Sequence, residues 1–473
     1  MERQYDLIII GAGPGGYTAA LRASELGLKT ALVEKDMLGG VCVNNGCVPA
    51  KALLQATSTY RRMLNSSRYG IHAENISFEM GRIQDYKDQS VLEFRELIRR
   101  KITASDVDLL CGAAVLHKDN VVEITDGDER YIIRGTNVIL ATGSHAILPD
   151  IPGIDLPQVM TSRNIMKARE WNYDCLVIIG GGVIGIELAT VFASLQSRVT
   201  ILESTPRLLP QMDPQISAQL MENLRERGVE VICGVRVTGI EDRGHDTVFV
   251  NYTEDGVEKQ VPADRVLVSV GRRASFAKAL GADCEVRTEN GSIVLKSGYR
   301  TTQKGVYAIG DCVSFHKLAH VAASQGAYVV EKLAKKGHRI QLFVVPNGMY
   351  ATLPVVPSCI YTDPEIASVG LTAEAAAKYN LKVKCGQALM KDNGRAILVG
   401  QETGCVILVF EAYTNTLIGA QLMCARATDM IGELSTAVAN GLTAYQLETA
   451  MRAHPTYSES ITEAIRDALG DQE

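Results

Sequence analysis

The sequence predicts an α/β protein in which two domains of parallel sheet and helix are built alike, one inserted in the other, and an α+β domain closes the chain. Three observations carry this. A long segment recurs. An apolar strand ending in small residues follows each copy. The last third abandons that pattern for short strand-like runs and then helices.

The recurring segment reads LIIIGAGPGGYTAALRASELGLKTALVEK from Leu7 to Lys35 and LVIIGGGVIGIELATVFASLQSRVTILES from Leu176 to Ser204, aligned without gaps at an offset of 169 residues. Each copy has an apolar run, a glycine-rich turn, a helical pattern and a second apolar run closing on a carboxylate. The glycines are Gly11, Gly13 and Gly16, then Gly180, Gly182 and Gly185. The acids Glu34 and Glu203 each stand 21 residues past the middle glycine. In a Rossmann-like unit the first glycine makes the tight turn, the second admits a pyrophosphate to the backbone, and the third packs helix on strand. The helix N-terminus faces the phosphate charge, and the acid accepts hydrogen bonds from a ribose. One GxGxxG alone is a weak signal, since a glycine turn without a ligand reads the same. Two copies, each between strand and helix with an acid at the expected distance, predict two dinucleotide sites.

Val138-Ile139-Leu140-Ala141-Thr142-Gly143-Ser144 is an apolar strand ending in small residues, and Val266 to Arg273 resembles it after the second copy. Small side chains there let the chain cross between domains close to a cofactor. The proline-bearing stretch Leu148 to Pro157 predicts the linker into the inserted domain, and Gly305 to Asp311 is a further buried-strand pattern. The domain boundaries predicted are 1–147 and 274–347 for the first domain in two parts, 148–273 for the inserted one and 348–473 for the last. After Pro354-Val355-Val356-Pro357, Ile360-Tyr361 and Val406 to Phe410 read as strands. A helix is predicted from Ala427 to Asn440 with Gly441 as its C-cap. Another starts at Thr443, with Gln446 completing a capping box. The last covers Ser458 to Leu469.

A chain of 473 residues has room for about three domains, and 46% apolar residues suffice for large cores. A net charge of −6 gives no electrostatic case for nucleic acid or an anionic membrane. No apolar stretch reaches the roughly 18 residues that span a bilayer. Met1 to Tyr5 run straight into the strand from Asp6 to Ile10, which leaves no room for a targeting peptide. The sequence therefore predicts a cytoplasmic protein. An odd total of 11 cysteines points to a reducing compartment rather than a disulfide framework. Nine are scattered singly, such as Cys175, Cys233 and Cys405, and read as small buried hydrophobes.

Cys42 and Cys47 alone form a close pair, in Gly39-Gly40-Val41-Cys42-Val43-Asn44-Asn45-Gly46-Cys47-Val48-Pro49-Ala50-Lys51, just past Glu34. The pair follows a glycine turn and reads as helical. In a regular helix residues i and i+5 lie roughly 8–9 Å apart between Cα atoms, whereas a disulfide needs less than about 7 Å. A bond requires a distorted turn, which Asn44-Asn45-Gly46 tolerates. The alternative is two unbonded buried thiols. No second Cys or His pair has ligand spacing, so no metal site is expected. His454 and Glu459 form a second cluster. Histidine carries protons near neutral pH, and a carboxylate fixing its tautomer makes a directed base; a loop histidine before a proline is the plainer reading. Lys51 and Glu187 sit in apolar or small-residue segments beside the two glycine motifs, which hints at a buried pair. Asp311, after a buried strand, suits either a cofactor hydroxyl or a turn.

Together these residues resemble the flavoprotein disulfide reductases, and within them the dihydrolipoamide dehydrogenases. The likeness runs through the whole chain in order. It takes in the first GxGxxG, the C-x₄-C box ending in Pro-x-Lys, the Ala-Thr-Gly strand and the second GxGxxG. It continues with Gly310-Asp311, Leu318-Ala319-His320, Tyr361-Thr362-Asp363-Pro364-Glu365 and His454-Pro455-Thr456-x-Ser458-Glu459. The cysteine box and the His-Pro-Thr segment are its most specific parts. The resemblance implies FAD on the first repeat, NAD on the second, and a C-terminal domain for dimerisation. The cofactor-binding set it implies is Gly11, Gly13, Gly16, Glu34, Lys35, Gly40, Val41, Cys42, Lys51, Gly112, Ala113, Ala141, Thr142, Gly143, Ser144, Gly180, Gly182, Gly185, Glu187, Glu203, Val237, Gly271, Gly310, Asp311, Leu318, Ala319 and His320. Cys47 would lie against the flavin and Cys42 would exchange with substrate. Lys51 would pair with Glu187. His454, held by Glu459, would serve the cysteines of the other subunit of a homodimer. The implied partner is a lipoylated carrier protein of a 2-oxoacid dehydrogenase or glycine-cleavage system.

Relatives resembling glutathione reductase use NADPH and tend to carry basic residues where this chain has Glu203, whose charge would repel a 2′-phosphate; Arg207 is the one cation close by. Mercuric reductases carry a second cysteine pair near the C-terminus, and this chain ends Ala468-Leu469-Gly470-Asp471-Gln472-Glu473. Soluble transhydrogenases of this type lack the paired cysteines. A flavoprotein acting mainly as a binding subunit would have lost a cysteine or His454. The chain departs from the usual pattern at Val41, Asn45 and Ala50, commonly Thr, Val and Ser. It also departs at Arg452, where dehydrogenases often carry another histidine; Arg452 bears on carrier recognition or on the pKa of His454.

Overall fold

A computed structural model describes residues 3–169, 173–335 and 355–470. Met1, Glu2, Pro354, the predicted boundary between 347 and 348, and the closing Asp471-Gln472-Glu473 lie outside the described residues.

The strand Arg3–Ile10 starts the first sheet. Its residues Leu7, Ile8, Ile9 and Ile10 are all buried, on both faces, because helices cover the sheet on either side. Strand order runs Val107–Cys111, Thr30–Glu34, Arg3–Ile10, Glu129–Leu140, Val121–Asp126, Ala113–Leu116. The long strand Glu129–Leu140 pairs antiparallel with Val121–Asp126 along its first half. Its last residues instead pair parallel with Val306–Ala308, so the chain re-enters this sheet after completing another domain.

That other domain has an all-parallel sheet in the order Val229–Cys233, Arg198–Glu203, Cys175–Ile179, Arg265–Val268, Val159–Thr161. An antiparallel sheet of Arg236–Asp242, Val248–Glu254 and Val257–Ala263 follows in sequence. The outgoing and returning crossovers meet: Ser144–Ala146 pairs antiparallel with Arg272–Ala274. The single strand predicted from Val266 to Arg273 is thus two strands. Arg265–Val268 ends, Gly271 takes φ +129°, and Arg272–Ala274 turns back.

The C-terminal domain is an antiparallel sheet in the order Ser358–Ile360, Glu365–Gly370, Leu417–Cys424, Cys405–Glu411, Val383–Leu389. Helices Ala427–Asn440 and Glu459–Leu469 pack their buried Leu434, Ile461 and Ile465 into its core. The second helix lies so close to the sheet that a Cβ on Gly386 would meet the Ala464 carbonyl at 1.8 Å. Local signals work well here. Gly441 caps Ala427–Asn440 with φ +61°, and Thr443 and Gln446 bond reciprocally at the start of Ala444–Glu448. The last helix begins at Glu459, with Ser458 as its N-cap.

All eleven cysteines are free thiols, and the expectation for the nine single ones needs correction. Cys312, Cys405 and Cys424 are buried, Cys175, Cys233, Cys284 and Cys359 are half-buried, and Cys111 and Cys385 are exposed. Cys175 opens a strand and Cys233 closes one, where the helical cover gives out. Among the described residues no helix is long and apolar enough to cross a membrane, and no group of three acidic, His or Cys side chains could hold a metal.

Candidate active site

The cysteine box folds as two helices, Gly40–Asn45 and Cys47–Leu64, broken at Gly46 with φ −143° and ψ −105°. The break sets the two thiols beside each other, where each shifts the other's acidity. Cys42 is the main influence lowering the Cys47 thiol to about 7; the Lys51 ammonium, one turn along the helix, adds to it against the cost of burial. The nearness of Cys47, with burial, pushes Cys42 far up. Asn44 pins the first helix: its amide donates to the carbonyls of Leu38 and Gly40 at 2.9 Å, and its oxygen accepts from Arg95 at 2.8 Å. Asn45 is buried with its side-chain oxygen unpartnered.

Lys51 Nζ lies 2.8 Å from both carboxylate oxygens of Glu187; the pair hinted at by the sequence forms, with Glu187 buried and Lys51 only half-buried. Glu187 belongs to the helix Val183–Ser194 of the inserted domain, so this pair ties the two α/β domains together beside the thiols. Tyr361, from the C-terminal domain, completes it: its N–H donates to Glu187 at 3.0 Å and its ring lies 4.4 Å from Lys51 Nζ.

The two glycine turns match position for position. Gly11 and Gly180 have φ of +104° and +106°, where a side chain would strike the carbonyl of Ala141 or Ser269. At Gly16 and Gly185 a Cβ would meet the carbonyl of Gly11 at 1.8 Å or of Gly180 at 2.2 Å. The middle glycines, Gly13 and Gly182, stand at the helix starts with no side-chain cap and no crowding, leaving first-turn N–H groups open. Each acid braces its own turn. Glu34 accepts from Ala12 N at 2.7 Å, and Glu203 accepts from Gly181 N at 2.6 Å. Arg207, the cation near Glu203, is drawn off to Glu374 at 2.6 Å and to the Pro210 carbonyl.

On the first domain Gly112 donates to the Glu34 carbonyl and leads into Ala113, Lys35 is exposed after its strand, and Gly40 backs onto Gly13, where a Cβ would come within 2.8 Å of the Gly13 Cα. Val41 is exposed on the first cysteine helix. Ala141, Thr142 and Gly143 close the central strand, with Ala141 N bonded to the Ile10 carbonyl. Ser144 Oγ donates to Asp311 at 2.6 Å, and Gly310 N donates to Gln325 at 2.7 Å. Leu318 caps the helix Ala319–Leu333, and His320 bonds the Pro357 carbonyl. In the inserted domain Val237 sits at a register shift and Gly271 at the return crossover.

His454 and Glu459 form a second centre. His454 Nδ1 lies 2.9 Å from Glu459 Oε1, and Glu459 Oε2 accepts from Thr456 N at 2.8 Å. The Thr456 N–H and His454 hold the Glu459 carboxyl below its usual range. An ionised Glu459 can only accept, so Nδ1 carries the proton and Nε2 of the neutral ring carries none. The His454–Pro455 peptide is cis. Within one chain no hydrogen bond or ion pair joins His454 or Glu459 to Cys42 or Cys47.

Residues 5–326 match the family described as pyridine nucleotide-disulphide oxidoreductase, and residues 356–465 match its dimerisation domain. The chain belongs to this family. Among these oxidoreductases it is 36% identical to a dihydrolipoyl dehydrogenase of Chlorobaculum tepidum, over 99% of this chain and 98% of that one. It is 35% identical to a dihydrolipoyl dehydrogenase of Geobacillus stearothermophilus, over 98% and 96%. In solved structures its fold is like that of LpdA from Mycobacterium tuberculosis, with a TM-score of 0.87 at 24% identity over 98% and 99% of the two chains. It is also like the HOCl-induced flavoprotein disulfide reductase RclA of Escherichia coli, with a TM-score of 0.85 at 25% identity over 98% and 99%.

The family's cofactors are FAD and NAD, and the residues fit them. Two uncapped helix starts behind open glycines suit pyrophosphates, and the acid at each strand end suits a ribose. Sequence reasoning missed Arg272. Its Nε donates to Ser144 Oγ at 2.7 Å and its Nη2 to the Ser144 carbonyl at 2.6 Å, so it backs the serine that holds Asp311. A cavity of about 490 Å³ opens beside Arg272, Asp311 and Lys317. Asn44 and Tyr361 were also passed over as site residues, the latter although it stands in the quoted motif.

Proposed function

We propose that this oxidoreductase is a dihydrolipoamide dehydrogenase, oxidising free or protein-bound dihydrolipoamide with NAD⁺. The observation that carries it is the His454–Glu459 pair: a base whose free nitrogen is directed outward, in a chain that also keeps a reactive cysteine pair. We assign FAD to the first glycine turn and NAD to the second. We divide the chain at 147, 273 and 347 as the sequence suggests. The exposed side of His454 supports a homodimer in which the base of one subunit serves the cysteines of the other. The reading extends to a lipoylated carrier protein as partner and to the cytoplasm as location.

In this reading the reaction begins at the disulfide form of the cysteines. His454 Nε2 takes a proton from a substrate thiol, and the thiolate attacks Cys42 Sγ, displacing Cys47 as thiolate. The second substrate thiol then attacks the substrate sulfur of the mixed disulfide, closing the substrate ring; Cys42 leaves and takes up that thiol's proton, while His454 keeps the first. Lys51 and the Cys42 thiol stabilise the Cys47 anion. Bound FAD supplies the transfer of the electron pair from the cysteines to NAD⁺. Glu203 favours NAD⁺ over its 2′-phosphorylated form. Glu187 and Tyr361 hold Lys51 in place throughout.

The test is His454→Gln. Turnover with dihydrolipoamide and NAD⁺ should fall by about 10²–10⁴-fold, the range of a lost general base. Reduction of ferricyanide by NADH, which needs no thiol proton transfer, should persist. Equal loss of both activities, or of neither, would overturn the role given to His454.

A further inference from the structure

The segment from Thr449 to Ser458 that carries His454 has no helix or strand of its own. Ahead of His454, Ala450, Met451 and Ala453 have no polar side chain, and the other ties there are local: Ala450 N to the Leu447 carbonyl, Thr449 Oγ1 to the Gln446 carbonyl, and Thr456 Oγ1 to the Ala453 carbonyl. Arg452 is the exception. Met451, Ala453 and His454 are exposed, while the Arg452 side chain turns inward and is only 5% exposed. Its Nη2 donates to Glu433 Oε1 at 2.5 Å, and its Nη1 donates to Thr462 Oγ1 at 2.9 Å.

These two partners are informative. Glu433 lies on the helix Ala427–Asn440. Thr462 lies on Glu459–Leu469, one turn beyond Glu459 on the same helix. The guanidinium therefore locks the loop to the element that supplies the carboxylate for His454. Past His454 the loop has other ties: Thr456 N to Glu459, and Asn393 Nδ2 to the Thr456 carbonyl at 3.1 Å. Without Arg452, no side chain ahead of the histidine would join the loop to the helix that carries Glu459. A planar fork reaches both acceptors at once, which a lysine ammonium at the end of a flexible stem does not.

We propose that Arg452 is a positioning residue for His454, fixing the loop so that Nδ1 meets Glu459 and Nε2 faces the incoming thiol. This rests on the reading of His454 as the base. Arg452 forms no hydrogen bond or ion pair with the imidazole, and its effect is on where the base stands.

Four variants test it: R452M, R452K, E433Q and H454Q. Each is assayed as holoenzyme for dihydrolipoamide oxidation by NAD⁺ and for NADH oxidation by ferricyanide. R452M should lower kcat with dihydrolipoamide about 10- to 100-fold, as expected for a misplaced catalytic group. Its ferricyanide rate should stay at the wild-type level. R452K should recover part of the loss, and E433Q should reproduce part of it from the other side of the contact. R452M placed on H454Q should cost nothing more, because Arg452 acts through the histidine. Losses that multiply in the double variant, or an R452M enzyme at the wild-type rate, would overturn the inference. Should R452M fail to retain flavin, a wild-type rate in E433Q overturns it equally. A wild-type protein inert toward dihydrolipoamide overturns the functional reading first, and this one with it.

Discussion

The acidity of the cysteine pair is set first by the closeness of the two thiols, with burial and Lys51 also acting on it. The Cys42 thiol stabilises the Cys47 anion and itself holds the harder proton to remove, so the two sulfurs part in character although their sequence settings are similar. In the reduced protein, the Cys47 thiolate read by its ultraviolet absorbance should therefore rise with pH through a midpoint near 7. Below it the thiol is protonated; above it the thiolate prevails. Cys42→Ala removes the neighbouring thiol and should move that midpoint upward, toward the ordinary thiol value of about 8.5. A midpoint unmoved by C42A would mean that Lys51, rather than Cys42, sets the acidity. The residues alone do not distinguish the two cysteines; only the family resemblance set Cys47 apart as the thiol against the flavin and Cys42 as the exchanging one.

At the scale of elements, the glycine turns separate the two cofactor sites and allow one to be broken alone. A methyl group at Gly185 would strike the Gly180 carbonyl at 2.2 Å and Ser269 Oγ at 2.8 Å, spoiling the second turn and leaving the first untouched. G185A should keep its flavin and still be reduced by dihydrolipoamide, yet make little NADH; titration of NAD⁺ by fluorescence checks the cause. Retained NAD⁺ affinity would show that the helix does not need its close approach. Elements with local signals could be read from the sequence: the repeat, the helix closed by Gly441, the capping box at Thr443. The break at Gly46 was foreseen only as a need, from the reach of a disulfide. The split of the strand after Val268 was not, because it depends on Arg272–Ala274 pairing with Ser144–Ala146, more than a hundred residues earlier. The same distance hid Arg272, whose role exists only once those crossovers meet.

Over the whole molecule, the thiols stand where three domains converge. The first carries Cys42, Cys47 and Lys51, the inserted domain brings Glu187, and the C-terminal domain brings Tyr361. Sequence suggested the Lys51–Glu187 pair from charges in apolar surroundings but had no means to add Tyr361, since nothing local ties it to either. Burial of the single cysteines was misjudged for a related reason: composition cannot say which ends of a sheet its helices leave bare. His454, the proposed base, forms no hydrogen bond or ion pair with the thiols within one chain, which is why the functional reading needs a second subunit. The most direct test compares two reactions of the purified protein side by side: NAD⁺ with dihydrolipoamide, and NADPH with oxidised glutathione. The account predicts rapid NADH formation in the first and little activity in the second. Turnover only with NADPH and glutathione would contradict both the substrate and the part given to Glu203.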